Sequence, residues 1–373
     1  MNSSTYAEEF NSSGEGISVT QALLKDRGLK YNLASLKQAK IDTKISEYEL
    51  RYFAETLVSV IEETYWDYAL SQKQIEIYEK SLKLAENRLA ETKERIEVGK
   101  LADVELAAAT AEIAFQKEGL INAKSNLQKT RLKFLRLLNV NLSDNMKKQV
   151  TLKTPIVVPS DEKLDALENH VALALKMRAD LNQANLNIER GELEIVKTGN
   201  GLLPKMDVFV NFGRTGYADS LSSSVGNIND DYYASEIGLQ FKMSLLNRNA
   251  KALHRRALLN QELIKDALEN MKSLVELDIH SAYIEVNRTT EQVAATKATR
   301  QYQDDTLKAE IAKFEVGKST TLLVGQAQRN LLVSQIAEIQ AVVMNIKSFI
   351  NLYRLEGTLL KRRGISAPGD KSL

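Results

Sequence analysis

The chain has 373 residues, 43% of them apolar and only 6% aromatic, and its 50 Lys and Arg balance 49 Asp and Glu. That balance leaves no basic excess for nucleic acid and no acidic tail, and the absence of cysteine excludes disulfides and thiolate chemistry. With four prolines and long stretches of Ala, Leu, Lys, Glu and Gln, the composition favours extended helices over a compact mixed fold.

No apolar run is long enough for a transmembrane helix, and Met1-Asn2-Ser3-Ser4-Thr5 lacks the charged and apolar regions of a secretory signal. Residues 1 to 16 read as a Ser-, Asn- and Gly-rich loop. A short alternating segment follows, with Ile17 and Val19 on one face and Ser18 and Thr20 on the other, the pattern of a strand. From about Leu29 to Val98 nothing breaks a helix. Within it, Ile75, Tyr78, Leu82, Ala85, Leu89, Thr92 and Ile96 keep the alternating three- and four-residue steps of a coiled-coil seam. Such a helix is roughly 100 Å long.

Gly99 ends it, and a return helix is expected from about Asp103 to Leu138. Residues 139–160, with Pro155 and Pro159, form a break. Another helix is expected from about Asp161 to Thr198. Each of these is about half the first in length, so the two either stack end to end beside it or make separate short hairpins. After Gly199-Asn200-Gly201 and Pro204 the period changes to two. Met206, Val208, Val210 and Phe212 alternate with Asp207, Phe209, Asn211 and Gly213, a polar run spans Arg214 to Asp231, and Ile237, Leu239, Phe241 and Met243 alternate again. This β-hairpin, about residues 203–246, has one apolar and one polar face, and alone it is at best marginally stable in water. Tyr217, Tyr232 and Tyr233 lie toward its distal end, either as an interfacial aromatic belt or as ordinary loop tyrosines. A second long helix runs to Val316, turns at Gly317 and returns from about Thr321 to Leu360; residues 361–373 are a solvated tail.

Glu97-Val98-Gly99-Lys100 and Glu315-Val316-Gly317-Lys318 are the same four residues, 218 positions apart. At that spacing Tyr65 falls on Tyr283, Gln74 on Gln292, Leu89 on Leu307, Ala109 on Ala327, and Arg136-Leu137 on Arg354-Leu355, without a gap. The chain therefore reads as a duplication: residues 1–138 one repeat, 139–160 a linker, 161–360 the other. Only the second repeat contains its leading helix and strand. The first is expected to lack them, roughly 50 to 60 residues judged from the repeat period, together with any signal peptide.

Three sequence features combine: paired tips Val98-Gly99-Lys100 and Val316-Gly317-Lys318, the segment Met177-Arg178-Ala179-Asp180-Leu181, and strands entered at Leu203-Pro204 and from Gly16 to Leu24. In that order and spacing they resemble the TolC-type outer membrane factor family, over nearly all of residues 16 to 360. The resemblance implies a mainly α fold with a small β part: coiled-coil hairpins forming a trimeric α-barrel tunnel in the periplasm, and strands contributed to a β-barrel in the outer membrane. It implies a passive duct for efflux or type I secretion, with a homotrimer, a periplasmic adaptor protein and an inner membrane pump or ABC transporter as partners. It also implies four strands per protomer, whereas three are legible here.

On this reading Val98, Gly99, Lys100, Val316, Gly317 and Lys318 contact the adaptor, and Val208, Val210, Phe212, Ile237, Leu239 and Phe241 face lipid. Some members of the family narrow the tunnel mouth with rings of aspartate just after the second tip. Here the corresponding positions are Leu323 and Gln326, and the nearby carboxylates are Asp103 and Glu105 of the first tip; these four are the candidate mouth lining, and first-turn carboxylates exposed to solvent are the alternative for Asp103 and Glu105. His170, His254 and His280 are widely separated and no nucleophile or metal motif is present, so no enzyme, metal or cofactor is expected. The rival readings are a soluble coiled-coil scaffold and a non-functional fragment of a duct.

Overall fold

In a computed structural model, residues 10–139, 150–154, 156, 164–229 and 233–367 are described. Pro155, Pro159, Asp161, Tyr232 and the side chain of Tyr217 lie outside them. Strand β1 (Phe10–Ala22) precedes a short helix α1 (Leu29–Asn32) and the 64-residue α2 (Ala34–Glu97); α3 (Val104–Leu137), α4 (Leu167–Met177) and α5 (Ala179–Asn200) follow. Then come β2 (Lys205–Ala218), α6 (Leu221–Gly226), β3 (Tyr233–Lys242), the 68-residue α7 (Arg248–Glu315), α8 (Thr321–Leu355) and α9 (Leu359–Arg362). The chain divides into two units, residues 1–46 with 183–270, and 47–182 with 271–373.

The first unit carries one antiparallel sheet in the order β1-β2-β3. Val208 pairs with Leu239, Val210 with Ile237 and Met206 with Phe241; on the other side Ile17 pairs with Phe212 and Val19 with Val210. Directly opposed residues share a face, so these apolar positions of all three strands fall on one side, with Phe209 on the other. The sheet differs from the sequence expectation at three places. β1 is longer than the alternating segment 17–20, β2 continues through Arg214 to Ala218, and α6 occupies part of the polar run. The reason is pairing: Phe10 to Ser13 meet Thr215 to Ala218 in register, and backbone hydrogen bonds hold a strand whose side chains give no alternation. Ser220 caps α6, its hydroxyl accepting from Ser223 N at 3.3 Å. Polar side chains join the unit's helices. Arg190 meets Asp42 at 2.9 Å, Gln38 donates to Glu194 at 3.1 Å, and Gln261 donates to the Ile188 carbonyl at 3.2 Å.

The second unit has the densest core: Val275, Ile279, Val286, Ile350, Leu352, Leu359 and Leu360 are essentially inaccessible. Its repeat-related halves bury the same seam, with Ala109 and Ala327 both enclosed. Two helices expected to be continuous are interrupted here. The helix expected over 161–198 is described from Leu167 and breaks at Arg178, which is extended, and the last return helix stops at Glu356-Gly357. The two breaks face each other. A Cβ on Gly357 would lie 2.9 Å from the Met177 carbonyl oxygen, and Arg51 donates to the Gly357 carbonyl at 3.2 Å. Buried around them, His170 is paired with Glu356, which also accepts from the Thr358 hydroxyl at 2.8 Å. Helical periodicity continues through both positions, so only the tertiary contact marks them.

Candidate functional sites

Both hairpin tips are closed by the same device. Gly99 and Gly317 each have φ of 74°, Lys100 N donates to the Arg95 carbonyl at 2.8 Å, and Lys318 N donates to the Lys313 carbonyl at 2.8 Å. A left-handed residue lets the N–H of the next residue reach back five positions and satisfy a terminal carbonyl of the helix, and glycine adopts that conformation without a Cβ penalty. Val98, Lys100, Val316 and Lys318 are exposed at the apices, the valines at 62% and 68%.

Below the apices the two hairpins are joined by contacts that the repeat does not share. Phe314 is 2% exposed, packed with Leu307, Val324 and Ala327, and the guanidinium groups of Arg95 and Arg88 lie 4.9 and 5.7 Å from its ring centre. Glu105 of the first hairpin accepts from Thr321 N at 3.0 Å, and Thr320 caps α8 from within, its hydroxyl accepting from Leu323 N at 3.3 Å. A carboxylate on the open N–H groups of a helix start is favoured by the helix dipole. Deeper, Arg329 of α8 meets Glu112 of α3 at 2.6 Å, and Gln116 donates to the other Glu112 oxygen at 2.7 Å. Around the second apex Glu310 accepts from Ser319 and, at 3.1 Å, from Lys313; the Ser319 hydrogen bond first, then Lys313, holds its carboxyl below the usual range.

Of the four mouth candidates, Asp103, Leu323 and Gln326 are exposed, while Glu105 is half-buried and occupied by Thr321 N. Phe314, Glu112 and Arg329 escaped the sequence reading. No signal in the repeat singles them out: Glu112 corresponds to Asn330, Arg329 to Ala111 and Phe314 to Ile96, but most other positions differ between the two hairpins as well.

Arg178 pairs with Asp180, at 2.7 Å, and also meets Asp278 on α7 at 3.0 Å. Burial pulls its pKa down, but hydrogen bonds and charges of Asp180 and then Asp278 outweigh this and raise it. The histidines serve separate places, His254 meeting the Thr198 hydroxyl at 3.1 Å. No cluster of potential metal ligands occurs among the described residues.

The sheet presents its apolar side to the surroundings: Ile17 is 71% exposed, Ile237 78%, and Phe212, Leu239 and Phe241 more than half. Val210 is also exposed and Val208 half-buried. On the other side lie Ser18, Asn211 and Asp207, with Ser18 donating to Asn211 at 2.6 Å and Lys205 meeting Asp207 at 3.2 Å. Phe209 lies over Gly238, where a Cβ would approach the ring to 2.3 Å. Tyr233 stacks on Phe212 with ring centres 5.7 Å apart.

Long duplicated hairpins with paired glycine tips, joined in sequence to strands that carry an exposed apolar face, define the class of helical-hairpin proteins with a small amphipathic sheet. Residues 6–140 and 171–358 match the outer membrane efflux protein family, and the chain belongs to that family. It is 22% identical over 311 residues, 81% of its length, to the pyoverdine export outer membrane protein OpmQ of Pseudomonas putida, and spans 62% of the length of that curated relative. Among solved structures, a membrane protein from Pseudomonas aeruginosa matches with a TM-score of 0.76 at 14% identity, covering 98% of this chain and 84% of that one. The outer membrane protein VceC of Vibrio cholerae matches at 0.73 and 14%, covering 94% and 87%. At these identities the structural likenesses establish the fold, which is mainly helical with a small antiparallel sheet.

Proposed function

We propose that this protein is the outer membrane duct of a tripartite efflux or type I secretion system, a passive conduit from periplasm to exterior that performs no chemistry and needs no cofactor. The observation that carries the reading is the sheet: nine apolar positions on three strands share one face, and most are more than half exposed. Apolar side chains left in water in such a column favour transfer to lipid, at about 25 cal/mol per Å². Three strands cannot close alone, and open edges are not tolerated in hydrocarbon, so on this proposal copies share one barrel, three of them as the family resemblance implies. Val98, Gly99, Lys100, Val316, Gly317 and Lys318 are the surface offered to a periplasmic adaptor and, through it, an inner membrane pump. Asp103, Leu323 and Gln326 line the mouth of the tunnel. Glu105 sits beside them and holds the second hairpin by capping α8.

Substituting Ile237→Asp and Phe241→Asp tests the sheet. Charge at the bilayer midplane costs about 2 to 4 kcal/mol per site for Lys or Arg and less for Asp, so each variant should shift toward the soluble fraction, and the pair more strongly. Unchanged membrane association in both variants refutes the lipid-facing assignment. Light scattering in mild detergent tests the assembly; a monomer extracted from the envelope would exclude the shared barrel.

A further inference from the structure

At the base of the sheet, where β2 begins and β3 ends, a cleft of about 640 Å³ is lined by Lys25, Lys205, Lys242 and Lys251 together with Met243 and Leu245. The backbone assembles it. Leu23 N donates to the Met206 carbonyl at 2.7 Å and Lys25 N to that of Pro204 at 3.2 Å, which fixes Lys25 beside the entry to β2. Lys205 stands directly opposite Lys242 in the strand register. Lys251 N donates to the Asn247 carbonyl at 3.1 Å, while the Asn247 side chain donates to the Leu202 carbonyl at 3.1 Å, holding the first turn of α7 against the same loop.

The cleft has four ammonium groups and no carboxylate in its lining. Lys205 is neutralised by Asp207 at 3.2 Å, and among the described residues Lys25, Lys242 and Lys251 have no acidic partner. Three lysines lining one cleft without a counter-ion raise its positive potential and favour an anion there. The remaining wall is apolar and open: Leu245 is 93% exposed, Met243 60% and the adjoining Leu246 61%. Met243 directly follows the last residue of β3 and continues the sequence alternation of Ile237, Leu239 and Phe241. Cationic and apolar surfaces therefore meet at one end of the face assigned to lipid, so the occupant that satisfies both carries an anionic head and hydrocarbon tails.

We infer that this cleft binds the headgroup of an anionic phospholipid, its phosphate among Lys25, Lys242 and Lys251 and its acyl chains along Met243 and Leu245. The inference rests on the membrane reading above. It adds a device that reading lacks, a fixed depth for the sheet at the boundary between hydrocarbon and water.

The test is native mass spectrometry of the whole protein from mixed micelles holding phosphatidylglycerol and phosphatidylcholine with the same acyl chains. The protein should retain phosphatidylglycerol roughly tenfold over phosphatidylcholine, as three lysines near an anionic headgroup allow. The triple variant Lys25→Gln, Lys242→Gln, Lys251→Gln should lose that preference, and the corresponding triple Arg variant should keep it. Equal retention of both lipids, or an undiminished preference in the Gln variant with unchanged circular dichroism, overturns the inference. So does suppression of phosphatidylglycerol retention by millimolar inorganic phosphate, which would mark a free-anion site. Insertion into nanodiscs is scored in parallel. A protein that inserts but shows no lipid preference refutes only this site, whereas one that does not insert refutes the membrane reading as well.

Discussion

Arg329 and Glu112 join the two hairpins, and the two halves of this pair are unequally enclosed. The Glu112 side chain is 6% exposed and that of Arg329 34%. Replacing Arg329 with Met keeps most of the stem and removes the charge, leaving a carboxylate with only the Gln116 amide, which reaches one of its oxygens at 2.7 Å. Breaking a buried pair in this way costs about 3 to 5 kcal/mol, and the partial exposure of the arginine reduces that to about 2 to 3 kcal/mol. Glu112→Gln is the milder change. The amide still accepts from Arg329, and the guanidinium can turn to water, so the cost is about 1 kcal/mol.

Amide hydrogen exchange across α3 and α8 reads both variants locally. Each 1.4 kcal/mol speeds opening tenfold, so Arg329→Met should accelerate exchange near Gly325 and Gln328 by roughly 30- to 150-fold and Glu112→Gln by about fivefold. Equal effects, or a larger effect in Glu112→Gln, refute the assignment of the burial cost to the carboxylate. An acceleration at the distant α4–α5 break instead of the tips refutes the view that this contact ties the hairpins locally.

Gly317→Ala should cost about 1 to 2 kcal/mol at a φ of 74°, seen as faster exchange at Lys318 while the strand residues are unaffected; a neutral substitution would mean the apex can re-close by another turn. The Glu310 carboxyl is held below its ordinary value, so its contribution to the second tip is present above that value and disappears as the pH falls through the lower, folded one. Protection at Ser319 to Thr321, taken relative to the intrinsic exchange rate at each pH, should therefore fall on acidification, and Glu310→Gln should show the same loss at neutral pH with little further dependence; a variant whose protection is still as acid-sensitive as the parent's would locate the effect elsewhere. Gly238→Ala pushes a Cβ to 2.3 Å from the Phe209 ring and should lower thermal stability by about 1 to 3 kcal/mol. Adding Phe209→Ala should recover part of that loss, and no recovery would mean that some other neighbour of Gly238 limits the space.

Local pattern made much of this protein legible from its residues. A heptad seam needs only neighbours three and four positions away, so the end of α2 at Glu97 was legible to within a residue, although the break at Leu33 that separates α1 from α2 was not, and Glu-Val-Gly-Lys declared both tips because a glycine ending a helix performs the same backbone task wherever it occurs. The period of two in Met206 to Phe212 and Ile237 to Met243 likewise revealed which side chains share a face. The break at Arg178, the extension of β2 to Ala218 and the seat of Glu105 on Thr321 N were decided only in three dimensions. Each depends on a partner supplied by a remote part of the chain: Gly357 against Met177, β1 against β2, one hairpin against the other. Periodicity records what a residue turns toward, outward or inward, but not which distant group waits there. Lys25, Lys205, Lys242 and Lys251 illustrate the difference, since they are scattered over more than two hundred positions as ordinary solvated charges and become a single electropositive cleft only when the ends of the strands and the start of α7 converge.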